Sequence, residues 1–262
     1  MTEDSSLRVS VATLNRVILG HHPKDESMML ALERKATVAN NGTVRVRAQP
    51  FGGGVRILDP PHLQTVIGQI RFDSERSERE ADFRILISPS KWDLVKQYSL
   101  HHLADQDDLR LESLPHRGLV EEFAETLSVG LQPAQYTFQP TGFVIENQPV
   151  PTDNANVHRQ ATVRLYCTFE VEIVDIALCQ TMLSANQLYS DEELGRLALD
   201  DLRNGGRGRA NSILILPLNL VLESYLALPL DTRHQKIVIE NHRIDESVLA
   251  ILEVDDPEYE RV

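Results

Sequence analysis

The sequence predicts an α+β protein, a mixed β-sheet flanked by helices. Residues 161–173 alternate as a half-buried strand does, with Val163, Leu165, Cys167, Phe169, Val171 and Ile173 on one side. Residues 116–128 instead repeat every three to four positions, which gathers Leu119, Val120, Phe123, Ala124 and Leu127 on one side of a helix. Ser190 followed by Glu193 is a capping box that opens another helix. Signals of both kinds are interspersed along the chain.

From the N-terminus, residues 7–20 carry apolar side chains at Leu7, Val9, Val11, Leu14, Val17, Ile18 and Leu19, a pattern that fits strand and helix alike. His21, His22 and Pro23 break it. Residues 25–39 fit a 3.6 period through Met28, Met29, Leu32 and Ala36, so a helix capped by Asp25 is expected. Asn40-Asn41-Gly42 is a turn and residues 43–48 alternate as a strand. Pro50 and Phe51 lead into Gly52, Gly53 and Gly54, a backbone free to take positive φ or to let another group approach closely. Further strands are expected at 55–58, 65–72 and 83–88. The mixed-charge tract 73–80 reads as a solvated hairpin tip or loop. A short helix over 91–102 carries Trp92, the one tryptophan.

Pro115 suits the first turn of the helix at 116–128, and Gly130 and Pro133 end it. Residues 136–150 hold strand-like pieces broken by Pro140, Gly142 and Pro149, and 153–156 is a loop. The helix from Ser190 extends to Leu202, closed by Asn204-Gly205-Gly206. A very apolar helix is expected at 212–228, a strand at 236–240 and a brief helix at 245–252.

A chain of 262 residues fits one large domain or two small ones, and no clear linker divides it, so a single domain over 1–262 is expected. Aromatic residues are only 5% of the chain, so the core must rest on Leu, Val, Ile and Ala. A net charge of −13 argues against an extended nucleic-acid surface but leaves room for a small phosphate-bearing ligand. Cys167 and Cys179 sit among apolar residues and read as buried free thiols of a reducing compartment, with no zinc spacing around them. The acidic start is no signal peptide, and the apolar stretch 213–228 is interrupted by Pro217, Asn219 and Glu223, too short and polar to span a bilayer. A soluble cytoplasmic protein is expected, with no membrane partner; a homo-oligomer is compatible with it.

The front of the 116–128 helix carries the chemistry. Arg117, Gly118, Glu121, Glu122 and Glu125 fall on one stripe, so three carboxylates lie beside an arginine. Their repulsion must be offset by solvent, by Arg117 or by a hard divalent cation. An acidic solvated face is the plain alternative.

A strand, a glycine cluster and a later helix bearing Arg117, Leu119, Glu121 and Glu122 together resemble the Nudix hydrolase family. Its signature has a glycine pair feeding a helix with Arg-Glu-hydrophobic-x-Glu-Glu. The resemblance implies a Nudix-like α/β/α sandwich, here with a large insertion at 59–108 and a C-terminal helical portion at 190–262. It implies Glu121 and Glu122 as catalytic residues, Mg2+ or Mn2+ as cofactor, and hydrolysis of a nucleoside diphosphate-type substrate, with Gly53 near that substrate. Glu121 and Glu122 would hold the metal, and Glu125, one turn beyond Glu121, is placed to add a third carboxylate. Gly118 stands where the signature has glutamate, Ala124 where it has glycine, and about sixty residues separate glycines from helix. A second reading follows from Gly118: a nucleotide-sensing or protein-binding domain that kept the fold and lost the reaction.

Gly205-Gly-Arg-Gly-Arg-Ala-Asn211 is a local basic loop in an acidic chain. Arg207 and Arg209 are candidate phosphate donors, helped by the amides of a following helix N-terminus. The alternative is a connector whose arginines pair with Asp200 and Asp201. The histidine pairs His21-His22 and His101-His102 are poor metal candidates, because adjacent residues on a helix or strand do not face each other.

Overall fold

The structure is a computed structural model that describes residues 6–20, 28–39, 41–105, 107–112, 114–152, 160–252 and 254–262. Its spine is β1 (Leu7–Leu19). One edge of β1 pairs in parallel with β7 (Ala161–Ile173), from Arg8 opposite Thr162 to Leu19 opposite Ile173. The other edge is shared by three antiparallel partners. β5 (Arg84–Ile87) takes Leu7 to Ser10, β4 (Phe51–Gly54) takes Ala12 to Asn15, and β2 (Met29–Val38) takes Val17 to Leu19. β3 (Val44–Gln49) returns along β2, and Pro50 passes the chain from β2 onto β1 as β4.

β8 (Arg209–Pro217) lines the far edge of β2, with Arg209 opposite Thr37 and Pro217 opposite Met29. β6 (Tyr136–Pro151) pairs with β7, and β9 (Ile237–Ile239), β10 (His242–Ile244) and β11 (Glu260–Arg261) extend the margins. Among the described residues these form one mixed sheet.

Both faces of the sheet are covered. On one side Val9, Val11, Val163 and Leu165 pack under α1 (Pro60–Ile67), α3 (Trp92–Ala104), α4 (His116–Leu127) and α5 (Ile176–Ala185). On the other, Leu30, Leu32, Leu214 and Leu216 pack with Val221 and Tyr225 of α7 (Leu218–Leu226) and with Val248 and Leu249. α6 (Asp191–Arg203) lays Leu194 and Ala198 on Ala36. The fold is therefore α+β, as the sequence predicts.

The strands at 43–48, 83–88, 161–173 and 236–240 and the helices at 91–102, 116–128 and 190–202 appear within a few residues of their expected places. Ser190 and Glu193 form the reciprocal cap. Cys167 and Cys179 are buried thiols, and among the described residues they form no disulfide.

Other expectations fail. Residues 25–39 are not a helix where they are described: 29–38 is β2. Residues 212–228 are not one helix either; Pro217 divides the end of β8 from α7, so 190–262 contains strands as well as helices. β2 and the 212–217 end of β8 are buried on both faces, and such strands show no alternation. Residues 65–72 belong partly to α1, whose start is capped by Asp59 accepting from the His62 amide. The charged tract 73–80 forms α2 (Glu75–Glu80), capped by Ser74. Residues 55–58 make only isolated bridges, Arg56 with Asp82 and Ile57 with Leu111. Residues 136–150 form one strand with register shifts after Pro140 and Glu146, and the helix near 245–252 is a 3-10 turn. The expected break at 21–23 and loop at 153–156 lie outside the described residues.

Candidate functional site

The helix α4 sits directly on the glycine segment. Leu119 and Phe123 are fully buried, and the Phe123 ring lies 4.9 Å from that of Phe51, tilted by 38°. Aligning these apolar contacts brings Gly118 over Gly52 and Gly53. A Cβ on Gly118 would lie 3.4 Å from the Gly53 nitrogen, and one on Gly53 would lie 3.8 Å from the Gly118 Cα. Gly52 has no room at all: its Cβ would be 2.1 Å from the Thr13 carbonyl oxygen. Gly118 and Gly53 thus meet in van der Waals contact between helix and strand, while Gly52 is closed in by the neighbouring β1.

Arg117 locks this contact. Its Nε donates to Glu112 at 2.8 Å and its Nη2 donates to the Gly54 carbonyl at 2.8 Å. Its Nη1 stands 3.5 Å from Glu121, whose side chain is 59% exposed. Glu122, one residue on, turns the other way. The Gly52 amide donates to its Oε2 at 2.5 Å. Burial, then the charge of Glu33, raises the Glu122 carboxyl well above its usual range, although Lys35 and the Gly52 amide oppose this.

Beside Glu122, strands β2, β3 and β8 present polar residues on the α4 side of the sheet. Glu33 is fully buried and accepts from Lys35 Nζ at 3.1 and 3.2 Å and from Gln49 Nε2 at 2.8 Å. Asn211, opposite Lys35, donates to Glu125 at 3.2 Å, while its own Oδ1 is buried without a partner. Arg209 continues the same side of β8. Partial burial and the like charges of Arg76 and Arg207 lower its pKa, against the pull of Glu125 and Glu33. Arg76 and Arg207 also act on Glu80: burial works against its charge, but the bond from Arg76 and the charges of Arg79 and Arg207 hold it below its usual range.

The loop before β8 is held by Asp201, which accepts from the Gly208 amide at 2.9 Å and the Arg209 amide at 3.2 Å. Asp200 pairs with Arg196 and Arg203. The acids therefore bind backbone and other arginines. Among the described residues, neither the Arg207 nor the Arg209 guanidinium has a hydrogen bond or ion pair. The loop enters a strand, so the expected helix N-terminus is not there.

The structure brings Glu122, Glu125, Arg207 and Arg209 to one side of the sheet and separates Glu121 from them. Gly53 is a packing position: Gly118 covers it and its carbonyl accepts from Thr13 at 3.3 Å. The carboxylates of Glu121, Glu122 and Glu125 engage Arg117, Gly52 and Asn211 respectively, and do not converge. Among the described residues, no group of three His, Cys, Asp or Glu side chains could hold a metal. The expected Mg2+ or Mn2+ ligand set does not fit this arrangement.

Sequence reasoning missed Glu33, Lys35, Gln49, Asn211 and Arg76. The signal was Glu33-Arg34-Lys35, three charges inside an otherwise apolar run. Among the described residues, no helix is long and apolar enough to cross a membrane. Comparison with family models, curated proteins and solved structures gives no match.

Proposed function

We propose that the chain is a non-catalytic binding protein for a nucleotide-like, phosphate-bearing small molecule, built on a Nudix-like unit of glycine strand and helix. One observation carries the reading. Arg207 and Arg209 enter the rim of a polar patch without ion-pair partners among the described residues, and the charges of Arg76 and Arg207 both act on Arg209, in a chain of net charge −13. Arg76 is paired with Glu80, but the Arg207 and Arg209 guanidinium groups have no ion pair among the described residues, and unpaired guanidinium groups suit phosphate oxygens. Behind the rim, the unpartnered Asn211 Oδ1 is an acceptor that a ligand hydroxyl or N–H would satisfy.

The packing of α4 on Gly52 and Gly53 supports the Nudix-like resemblance. The dispersal of its carboxylates supports binding over hydrolysis. Lys35 already neutralises Glu33, and burial raises the Glu122 carboxyl well above its usual range.

The test is calorimetric titration with a panel of nucleoside diphosphate derivatives, with and without Mg2+, alongside a phosphate-release assay. The reading expects binding with no release. Metal-dependent release that Glu122→Gln abolishes would replace it with the hydrolase reading. Absence of binding across the panel would remove both.

A further inference from the structure

Asn is followed by Gly twice in this chain, at Asn41-Gly42 and at Asn204-Gly205. Both pairs are exposed and lie in turns, the first between β2 and β3 and the second where α6 ends. We propose that Asn204 is a site of spontaneous deamidation, through a cyclic imide closed by the backbone nitrogen of Gly205.

The reaction needs a backbone nitrogen that can reach the carboxamide of the residue before it. A side chain on the following residue shields that nitrogen, and glycine has none. Around Gly205 the space is open: a Cβ there would meet nothing within 4 Å. Asn204 holds the last half-helical position of α6, with φ −87° and ψ 13°. Helix ends are where local opening costs least. One bond must open before attack, from the Gly205 N–H to the Leu202 carbonyl at 3.1 Å. Among the described residues the Asn204 side chain has no hydrogen bond, so its carboxamide is free to turn toward Gly205.

Asn41 is held at both reacting groups. Its Oδ1 accepts from the Thr43 amide at 3.0 Å, and the Gly42 N–H donates to the Ala39 carbonyl at 2.8 Å. The hairpin is closed again by the Ala39 N–H on the Thr43 carbonyl at 2.9 Å. The two pairs look alike in sequence, and the fold separates them.

The chemistry needs only water. A solvent base takes the Gly205 N–H proton and the nitrogen attacks the Asn204 Cγ. A C–N bond forms, the bond from Cγ to the side-chain nitrogen breaks, and ammonia leaves. Water then adds to one of the two imide carbonyls. Opening at the former side-chain carbon leaves aspartate at position 204. Opening at the main-chain carbon leaves isoaspartate, with a backbone one methylene longer.

Either product puts a carboxylate at the C-terminal end of α6, where the helix dipole is already negative. Asp200 and Asp201 lie in the same turn. The modification therefore loosens the end of α6 and the start of the basic loop, whether or not that loop binds phosphate.

The test incubates the full chain at neutral and mildly alkaline pH and maps its peptides by mass, with aspartate and isoaspartate forms separated. The Asn204 peptide is expected to convert, faster at the higher pH because the nitrogen must lose its proton, and the Asn41 peptide to lag. Gly205→Ala is expected to slow the Asn204 conversion at least about tenfold, because a side chain then shields the attacking nitrogen. Asn204→Asp carries the product charge from the start and is expected to lower the Tm by about 1–3 °C. An Asn204 peptide that stays intact while unfolded chain converts overturns the proposal. Conversion faster at Asn41 than at Asn204 overturns the choice of site, and an unchanged Tm in Asn204→Asp overturns the loosening of α6.

Discussion

Two glycine-rich segments stand out in this chain, and they use glycine for different physical reasons. Gly52 and Gly53 are strand backbone beneath a helix, and Gly52 has no space for a side chain: its Cβ would sit 2.1 Å from the Thr13 carbonyl oxygen of the neighbouring β1. Gly205 and Gly208 have φ of 82° and 67°, and a Cβ on Gly205 meets nothing within 4 Å. The first segment is wedged against β1 and lies in contact with α4. The second is a chain reversal that delivers Arg207 and Arg209 to the sheet margin. The rigid region positions the patch, and the open region supplies its charge.

Substitutions can break this contrast, and the largest effect is expected beneath the rigid segment. Phe123→Ala removes a fully buried ring stacked on Phe51 and should cost about 3–5 kcal/mol in chemical denaturation. A loss below roughly 1 kcal/mol would mean that α4 is not anchored there.

Gly52→Ala comes next, at about 3 kcal/mol, the upper end for overpacking, because backbone must shift to admit the methyl group. Gly205→Ala should cost only about 1–2 kcal/mol, from the left-handed conformation alone. Equal costs in denaturant titrations of the two variants would erase the distinction between close approach and chain reversal.

A smaller effect, of opposite sign, is expected at Glu122. Burial and then the charge of Glu33 raise its folded pKa above the unfolded value. Ionisation therefore opposes folding: stability falls as pH rises from the unfolded pKa through the folded one, and returns on acidification across the same window. Glu122→Gln keeps an acceptor for the Gly52 amide, so it should raise the Tm at neutral pH and flatten its fall with rising pH. A lower Tm at neutral pH would show that the charge is stabilising.

Much of this was legible where a single element declares itself. The alternation of 161–173, the apolar stripe of Leu119 and Phe123 and the Ser190–Glu193 cap are local patterns, and each gave the right element. β2 and β8 were not legible. Ala31 and Leu32 face opposite cores, as do Ile213 and Leu214, so both strands are apolar on each side and lose their period.

The patch suffered from the same cause. Glu33 and Lys35 lie on a strand read as a helix, and Arg76 lies on a helix read as a loop. Arg207 and Arg209 were legible because basic residues among glycines need no fold to be noticed. Glu121 and Glu122 look equivalent in sequence. Only the docking angle of α4 sends one to Arg117 and solvent and the other to the sheet.

The central claim, that the open loop supplies the charge for a phosphate-bearing ligand, is tested most directly by one calorimetric comparison. A nucleoside diphosphate is titrated into wild type and into the Arg207→Ala/Arg209→Ala variant at equal ionic strength, with Tm measured for both. The account predicts affinity at least about tenfold weaker in the variant, from the loss of charge-assisted bonds, and an unchanged Tm. Equal affinities, or a Tm that falls while affinity holds, would contradict it and make the loop a structural connector.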